Sequence, residues 1–234
     1  MPLPFQPSLT LLIPAFNERD NLPAVLQEAQ ALAARCCRDC EVLVVDDGST
    51  DGTAALLAGW TGVRVITHER NRGLTAALRT GLFASQREFV TWVPADGQIP
   101  LSELARILDA WQGEDLVLST YRRRPDGWTR IVMSRTLRLL VRAATGLRDR
   151  LEGPYLVRRA LLDELDLVAR TSAGSIGLEI AAKARALGKR LGSVEIECMP
   201  RRSGRSKVAN LRNILSYLGE IWRIGASMRR AGLR

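Results

Sequence analysis

The stretch EVLVVDDGSTDGT, residues 41–53, joins a short apolar run to an acidic, glycine-containing turn. An apolar run of this length that ends in turn-forming residues is typical of a strand buried on both faces of a parallel sheet. Ligands bind such sheets beyond the carboxyl ends of the strands, where Asp46 and Asp47 stand. Two adjacent carboxylates at a buried strand end are costly unless a sugar hydroxyl or a cation pairs with them.

The turn itself has a simpler interpretation. Ser49, Thr50 or Asp51 can cap a helix that starts near Thr53, and the whole stretch can then be a solvated turn with ordinary capping residues. The surrounding chain decides between the two interpretations.

Strands and helices alternate regularly over about the first 115 residues, which predicts an α/β fold with a mainly parallel sheet covered by helices on both faces. Asn17 or Asp20 is the expected cap of the first helix. The second half is less regular. It begins with a basic loop over residues 121–130 and a helix over 131–145. A strand over 155–158, a helix over 175–187, a strand over 190–198, a basic loop over 201–207 and an amphipathic last helix follow. We expect one domain over residues 1–234, divided into 1–117, 118–205 and 206–234.

The charge is distributed unevenly along the chain. Residues 1–117 contain 9 Arg against 15 Asp and Glu, whereas residues 118–234 contain 22 Arg and 3 Lys against 10 Asp and Glu. The net charges of −6 and +15 suggest a polyanionic partner for the second half, such as a nucleic acid, an anionic membrane surface or a phosphorylated substrate.

Several classes of protein are disfavoured. No apolar run approaches the roughly 18 residues of a membrane span, and the N-terminus lacks the basic start of a signal peptide. Cys36, Cys37, Cys40 and Cys198 are read as thiols in a reducing cytosol, because no second Cys/His pair completes a metal site. The sequence has neither a G-x-G-x-x-G after the first strand nor a P-loop, which argues against dinucleotide oxidoreductases and P-loop NTPases. The only histidine, His68, is expected in a surface loop.

Three strand ends carry polar loops: residues 14–18 (PAFNE), 46–49 (DDGS) and 94–98 (PADGQ). Parallel strands point their carboxyl ends the same way, so these loops should share one edge of the sheet. Carboxylates gathered there suit sugar hydroxyls, base N–H groups and a hard divalent cation.

Five motifs in this order and spacing, IPAFNERDNLP, VVDDGSTDGT, NRGLTAALRTGL, PADGQIP and RRSGRSK, resemble family 2 glycosyltransferases of the GT-A fold. Within that family they are similar to dolichol-phosphate mannose synthase-like enzymes, which move a sugar from a nucleotide donor to a polyprenyl phosphate. The resemblance covers about residues 8–210. It implies a GDP- or UDP-sugar donor, inversion at the anomeric carbon and Mg²⁺ or Mn²⁺ as cofactor.

The resemblance also implies roles for individual residues. Substrate or nucleotide contacts fall on Pro14, Phe16, Glu18, Val45, Asp46, Asp47, Ala95 and Gln98. Val45 and Asp47 are placed at the base and ribose, and Asp46 either contacts the donor or simply holds the loop. The metal ligands are Asp96, as the aspartate of the D-x-D element, and Gln98. The cations that collect phosphates are Arg122, Arg130, Arg201 and Lys207, with Arg123 or Arg202 as substitutes where the register of the basic runs is open.

Two positions depart from the family pattern. Pro94 replaces the first aspartate of D-x-D, so the metal has one carboxylate fewer and donor phosphates, Gln98 and water must complete its shell. Thr120 stands where many relatives have arginine, which moves the acceptor-phosphate assignment to Arg122.

The class of acceptor stays open between a phosphate and a hydroxyl. A phosphate monoester has a second pKa near ~6 and is already a nucleophile at neutral pH, so it needs no general base. A sugar or protein hydroxyl needs one, and Glu179 in the run EIAAKARALG resembles the element that carries it in hydroxyl-transferring relatives. Glu179 can instead be a structural carboxylate paired with Lys183 or Arg185.

The last helix carries an apolar face and several arginines, which fits docking on the domain or peripheral contact with an anionic membrane. We expect its first half to dock and residues 222–234 to contact the inner face of the cell membrane, in a cytoplasmic protein. The non-enzymatic alternative is a nucleic-acid-binding module, suggested by the pI near 10.2. It is disfavoured because the acidic first half would repel phosphate and no nucleic-acid-binding motif is present.

Overall fold

The computed structural model describes residues 6–122, 128–170, 175–199 and 211–233. The predictions for Arg123, Arg201, Arg202 and Lys207 lie outside the described residues. The backbone of Arg130 belongs to a helix, but its side chain also lies outside them.

Within these ranges seven strands form one sheet in the order β3-β2-β1-β4-β6-β5-β7. They are β1 (Ser8–Ala15), β2 (Asp39–Asp46), β3 (Arg64–Thr67), β4 (Phe89–Trp92), β5 (Leu116–Tyr121), β6 (Leu156–Arg158) and β7 (Leu191–Ile196). β6 runs antiparallel to both of its neighbours, and all other pairs are parallel. The strands of both halves of the sequence therefore belong to the same sheet.

Eight helices connect or flank these strands in the described ranges. They are α1 (Leu22–Cys36), α2 (Thr53–Ala58), α3 (Leu74–Ala84), α4 (Leu101–Asp109), α5 (Trp128–Thr145), α6 (Arg159–Glu164), α7 (Ser175–Ala186) and α8 (Leu211–Arg230).

The helices cover both faces of the sheet, as the apolar strands require. In β1, Leu11 and Ile13 belong to the apolar cluster beneath α1, α2 and α4, whereas Leu12 belongs to the cluster beneath α3, α6, α7 and α8. Helix α3 lies very close to the sheet at Gly81, where an added Cβ would stand 2.1 Å from a methyl carbon of Leu12. The buried apolar strand at the centre of the sheet is thus enclosed from both sides.

The strand and helix alternation predicted from the sequence is confirmed, with two additions. The direction of β6 and the short helix α6 that follows it were not predicted, because a three-residue strand gives no periodic signal. The predicted caps of α1 are wrong. Its N-cap is Asn21, and Asn17 instead accepts a hydrogen bond from the backbone N–H of Thr50 through its side-chain oxygen, 2.8 Å away.

Among the described side chains of α8, the fully buried apolar ones lie in its second half, whereas Tyr217 and Leu218 of the first half pack against the core while partly exposed. Ile221, Ile224 and Met228 are buried in the cluster shared with α3 and α7, whereas Leu215 is 60% exposed. Helix α8 lies very close to α5 at Gly225, where an added Cβ would stand 2.5 Å from the carbonyl oxygen of Ala144. The sequence analysis did not predict that the second half of this helix also docks on the domain.

Candidate functional site

The three polar loops predicted from the sequence begin at one edge of the sheet. β1 lies between β2 and β4, all three strands are parallel, and Asp46 at the end of β2 is the register partner of Ala15 at the end of β1. The chain continues past these ends with Asp47, whose N–H donates to the carbonyl oxygen of Ala15 at 2.8 Å. The shared edge is therefore the place where a ligand is expected to bind a parallel sheet.

The loops after β1 and β2 are joined by hydrogen bonds. The backbone N–H of Asn17 donates to the hydroxyl of Ser49 at 2.9 Å, and that of Glu18 donates to the hydroxyl of Thr53 at 3.1 Å. Gly48 has a φ of +71°, and a Cβ there would stand 2.5 Å from the backbone of Arg70. No side chain fits at that position, so the turn after β2 requires glycine.

Asp51 organises the start of α2. Its Oδ1 accepts hydrogen bonds from the backbone N–H and the hydroxyl of Thr53, at 3.0 and 2.6 Å, and its Oδ2 accepts one from the N–H of Arg19 at 3.2 Å. Burial raises the pKa of Asp51, but these hydrogen bonds outweigh it and the pKa of the carboxyl lies below its usual value. The N-cap of α2 is Gly52, which has no side-chain cap hydrogen bond, so the predicted capping by Ser49, Thr50 or Asp51 is wrong, although Asp51 binds the N–H of Thr53 at the first position of the helix.

The two adjacent aspartates have opposite environments. Asp47 is saturated, because its Oδ1 contacts Nδ1 of His68 at 2.6 Å and the N–H of Arg72 at 3.0 Å, while its Oδ2 accepts the N–H of Gly73 at 2.7 Å. Asp46 is fully buried, and its Oδ1 accepts the N–H of Ser49 at 3.1 Å. Its Oδ2 is buried without a hydrogen-bond partner. The sequence suggested the other division, in which Asp47 faces the ligand and Asp46 can hold the loop, and the roles of both residues toward a ligand stay predictions.

The expectation for His68 is wrong. Its side chain is buried rather than exposed on a surface loop, and its Nε2 lies 2.9 Å from the hydroxyl of Thr80 in α3. With Asp47 on its other ring nitrogen, His68 links the end of β2 to the middle of α3. The contact between His68 and Thr80 was not predicted, because the two residues lie 12 positions apart in the sequence and only the fold brings them together.

The loop after β4 carries the predicted metal ligands. Asp96 is 8% exposed, and its Oδ1 accepts the backbone N–H of Gln98 at 3.0 Å across Gly97, which has a φ of +69°. The carbonyl oxygen of Gln98 accepts the N–H of Met199, so this turn is tied to the segment that follows β7.

These oxygen donors fit a divalent cation of the Mg²⁺ or Mn²⁺ type, which prefers such ligands. In the described part of the chain, however, no three His, Cys, Asp or Glu side chains cluster as a metal site. Metal binding by Asp96 and Gln98 stays a prediction.

The remaining predicted donor-site residues lie along the same edge. Pro14 and Val45 are buried register partners in the β1–β2 ladder, and Ala95 is buried beside Asp96. Glu18 accepts a hydrogen bond from the side-chain amide of Asn21 at 2.8 Å. Phe16 is half-buried in the loop after β1. The roles of these residues toward a ligand stay predictions.

Arg122 is the predicted phosphate ligand whose side chain can be described. It follows β5, its N–H donates to the carbonyl oxygen of Ile196, and its exposed guanidinium lies 3.7 Å from the carboxylate of Glu197. An exposed pair at this distance contributes little stability, so the guanidinium remains available to an anion.

Glu179 is a buried structural carboxylate in this fold. It is fully buried in α7, and its two oxygens accept the backbone N–H groups of Val168 and Ala169 at 2.7 to 2.9 Å. The ammonium of Lys183 lies 2.7 Å from Oε1 and also donates to the carbonyl oxygen of Asp166. The structure therefore favours the pairing with Lys183 over the catalytic-base interpretation.

Replacing Glu179 by glutamine is expected to destabilise the fold, because Lys183 is left buried without its counter-charge. Breaking a buried ion pair in this way costs about 3–5 kcal/mol. For a chain of this size that lowers the Tm by very roughly 6–20 °C, measured by thermal denaturation.

Two variants serve as controls for that experiment. Glu88→Gln removes an exposed partner of Arg158 and should change the free energy of unfolding by less than about 1 kcal/mol. Adding Lys183→Met to Glu179→Gln should restore part of the loss. A Glu179→Gln protein with unchanged Tm and no transfer activity would instead identify Glu179 as a base.

Comparison with known proteins agrees with the geometry. The family model for glycosyl transferase family 2 matches residues 10–167, more than half of the chain. The chain belongs to the glycosyl transferase family 2.

Curated relatives and solved structures narrow the comparison. The chain is 33% identical to the polyprenol monophosphomannose synthase of Mycolicibacterium smegmatis, over 94% of this chain and 89% of that protein. It is also 33% identical to the undecaprenyl-phosphate 4-deoxy-4-formamido-L-arabinose transferase of Aeromonas hydrophila, over 67% of this chain. That match spans about half (51%) of the relative's length.

Glucosyl-3-phosphoglycerate synthase from Mycobacterium tuberculosis, solved with Mn²⁺, UDP-glucose and phosphoglyceric acid, has a similar fold. The TM-score is 0.69 at 22% identity, over 97% of this chain and 81% of that one. The predicted α/β fold of the GT-A type is thereby confirmed. The two curated relatives are polyprenyl-phosphate glycosyltransferases, which is the group that the sequence motifs resemble.

Proposed function

We propose that this chain is an inverting glycosyltransferase that moves a sugar from a GDP- or UDP-sugar to a polyprenyl phosphate at the inner face of the cell membrane. The structural observation behind the donor half of this proposal is the buried, unpartnered Oδ2 of Asp46 at the edge shared with Asp96. A buried carboxylate oxygen without a donor is costly, and a base N–H or ribose hydroxyl would satisfy it. The polyprenyl-phosphate half is supported by the relatives that the chain resembles along most of its length.

The acceptor chemistry is consistent with the state of Glu179. Transfer to a hydroxyl requires a general base, and the candidate carboxylate is held by two backbone N–H groups and Lys183. A phosphate monoester needs no such base. We therefore place the phosphate acceptor ahead of the alternative, transfer to a sugar or protein hydroxyl with Glu179 as base.

The residues at the edge would act by positioning the donor. Pro14 and Val45 would bound the nucleoside, Asp46 would accept its hydrogen bond, and Asp47 would hold the loop around it through His68 and Gly73. Asp96 and Gln98 would hold the divalent cation. When bound, such a cation neutralises the charge that develops on the departing diphosphate.

The acceptor phosphate and the donor diphosphate would be collected by the arginines of the second half. We assign this role to Arg122, with Arg130, Arg201 and Lys207, or their neighbours Arg123 and Arg202, as further cations. Guanidinium groups suit this task because they bind phosphate oxygens in pairs.

The donor assignment predicts stabilisation by nucleoside diphosphates. With UDP or GDP and Mg²⁺ or Mn²⁺ at about 100 times Kd, binding adds about 2.7 kcal/mol to the free energy of unfolding. The expected rise in Tm is very roughly 5–10 °C by thermal denaturation. Adenosine diphosphate serves as the comparison. An unchanged Tm with every nucleoside diphosphate, with and without metal, would show that the donor site is wrongly assigned.

Attachment to the membrane would be peripheral. Among the described helices none is long and apolar enough to span a bilayer. Helices α5 and α8 pack together, and both expose large apolar side chains: Leu139 at 66%, Leu215 at 60% and Trp222 at 67%. The guanidinium of Arg229 lies over the Trp222 ring, 4.9 Å from its centroid. Apolar and cationic groups side by side suit an anionic lipid surface.

Replacing Trp222 by serine is therefore expected to weaken binding to vesicles of phosphatidylglycerol and phosphatidylcholine by about tenfold. In the wild type the ring moves from water to the lipid interface on binding, and the variant lacks that favourable transfer. Cosedimentation measures the partition. Leu187→Ser removes another exposed apolar side chain, at the end of α7, and should leave binding unchanged. Equal binding by the wild type and Trp222→Ser would exclude this helix as the contact.

A further inference from the structure

An open cleft of about 640 Å³ lies beside α3, on the sheet face that α6, α7 and α8 also cover. Three arginines line it: Arg72 from the loop before α3, Arg79 from the helix itself and Arg170 from the segment after α6. The other lining residues are Ala76, Thr80 and Phe83. The proposed transfer reaction assigns no role to Arg79, Arg170 or Phe83.

None of the three guanidiniums forms an ion pair with a carboxylate in the described part of the chain. The guanidinium of Arg79 is instead fixed by a hydrogen bond from Nη1 to the carbonyl oxygen of Leu167, at 2.7 Å, and it lies 5.2 Å from the centroid of the Phe83 ring. Held at one nitrogen, it keeps further N–H donors for a ligand.

Two nearby carboxylates, Glu220 and Asp47, have hydrogen-bond or ion-pair partners of their own. Glu220 accepts the backbone N–H of Arg170 through one oxygen and pairs with Arg223 through the other. Asp47 is saturated by His68 and by backbone N–H groups, one of them that of Arg72. Glu220 shares its charge with Arg223, so the three guanidiniums of the cleft outnumber the carboxylates beside it.

Three cations around one concave surface repel each other and focus a positive potential into it. Arginine presents a planar fork of N–H donors that matches the oxygens of a phosphate, and hydrogen bonds to such an anion are charge-assisted. Thr80 adds a hydroxyl to the same wall, held on its other side by His68. These features together select an anion with several acceptor oxygens.

We propose that this cleft binds a phosphate group, at a site separate from the one that collects the reacting phosphates. Arg122 extends from the end of β5, which lies three strands from β1 in the sheet, whereas α3, which lines the cleft, packs on β1 and β2. The same chemistry is offered by a soluble phosphate ester and by the head group of an anionic lipid, and the experiment below distinguishes these sources.

The test uses the full chain in a phosphate-free buffer at low salt. Calorimetric titration with glycerol 3-phosphate measures binding of a soluble ester, and cosedimentation with phosphatidate vesicles, compared with neutral phosphatidylcholine vesicles, measures binding of a head group. Arg170→Ala is expected to weaken the binding that is observed by about tenfold or more. Arg79→Lys keeps the charge but loses the fork, and should weaken it as well.

Arg35→Ala is the matched control, since Arg35 is an exposed arginine on α1, on the opposite face of the sheet. It should leave binding of the phosphate probe unchanged, and all three variants should keep the wild-type Tm within a few degrees. Equal effects of Arg170→Ala and Arg35→Ala, or no binding of either probe, would overturn the proposal.

Competition separates this site from the donor site. Glycerol 3-phosphate should still bind when UDP or GDP is saturating, and Arg170→Ala should leave nucleotide affinity unchanged. Displacement by the nucleotide together with a matching loss of nucleotide affinity would make the cleft part of the donor site and contradict the proposal. A failure of the donor assignment itself would appear instead as nucleotide that does not bind, with phosphate binding intact.

Discussion

Replacing Asp96 by asparagine is expected to lower kcat/KM for sugar transfer by about a hundredfold to a thousandfold, with little change in Tm. The asparagine oxygen can still accept the N–H of Gln98, so the turn after β4 should keep its shape. What is lost is the negative charge that would hold a divalent cation beside the leaving diphosphate. Stabilisation of that kind is worth several kcal/mol in the transition state, and each 1.36 kcal/mol is a factor of ten in rate.

Asp109→Asn is the matched control for that variant, because it removes a carboxylate from the exposed end of α4. Its kcat/KM should equal that of the wild type. Steady-state transfer kinetics measure both variants, and thermal denaturation reports their folding. An Asp96→Asn enzyme with activity within about threefold of the wild type would remove Asp96 from the catalytic machinery.

The second large effect is a contrast between the neighbouring aspartates. Asp47→Asn is expected to lower the free energy of unfolding by about 2–4 kcal/mol. The variant loses the carboxylate that binds His68 and the backbone N–H groups of residues 72 and 73, and its new amide group faces an N–H donor. Asp46→Asn should leave stability nearly unchanged, since its Oδ2 has no partner to lose in the folded chain.

For nucleotide binding, in contrast to stability, we expect the larger effect from the Asp46 variant. Its Oδ2 is the buried acceptor for the donor nucleoside, so Asp46→Asn is expected to weaken UDP or GDP binding by about tenfold to a hundredfold. Calorimetric titration at a temperature well below both melting points separates affinity from stability. If Asp46→Asn binds as tightly as the wild type and Asp47→Asn does not, the two roles are those first expected from the sequence.

Much of the fold was predictable because its signals are local. Residues 42–45 were predicted as a buried strand because a short apolar run followed by turn-forming residues is typical of one. The alternation of such runs with amphipathic helices then indicates a parallel sheet. Parallel direction alone then brings the loops at Pro14, Asp46 and Asp96 to one edge. The direction of β6 depends on its pairing with β4 and β5, which lie far away in the sequence, so no local pattern predicts that direction.

The details of the site depend on contacts between distant residues. His68 looked exposed because its neighbours in the sequence are polar, but Thr80 and Asp47 enclose both nitrogens of its ring. The same contact decides which of the two aspartates is occupied and which has an unpartnered oxygen. Lys183 lies four residues after Glu179 and was an expected partner, yet the burial of the pair became visible only with the fold.

The central claim is that the acceptor is a phosphate. The most direct measurement incubates the wild-type chain with a panel of UDP- and GDP-sugars, Mg²⁺ or Mn²⁺, and either a polyprenyl phosphate or the matching polyprenol, and detects lipid products by mass. We expect a polyprenyl phosphate whose mass is increased by one sugar with at least one donor, and no product from the polyprenol. Sugar attached to the polyprenol hydroxyl, or no lipid product with any donor, would contradict it.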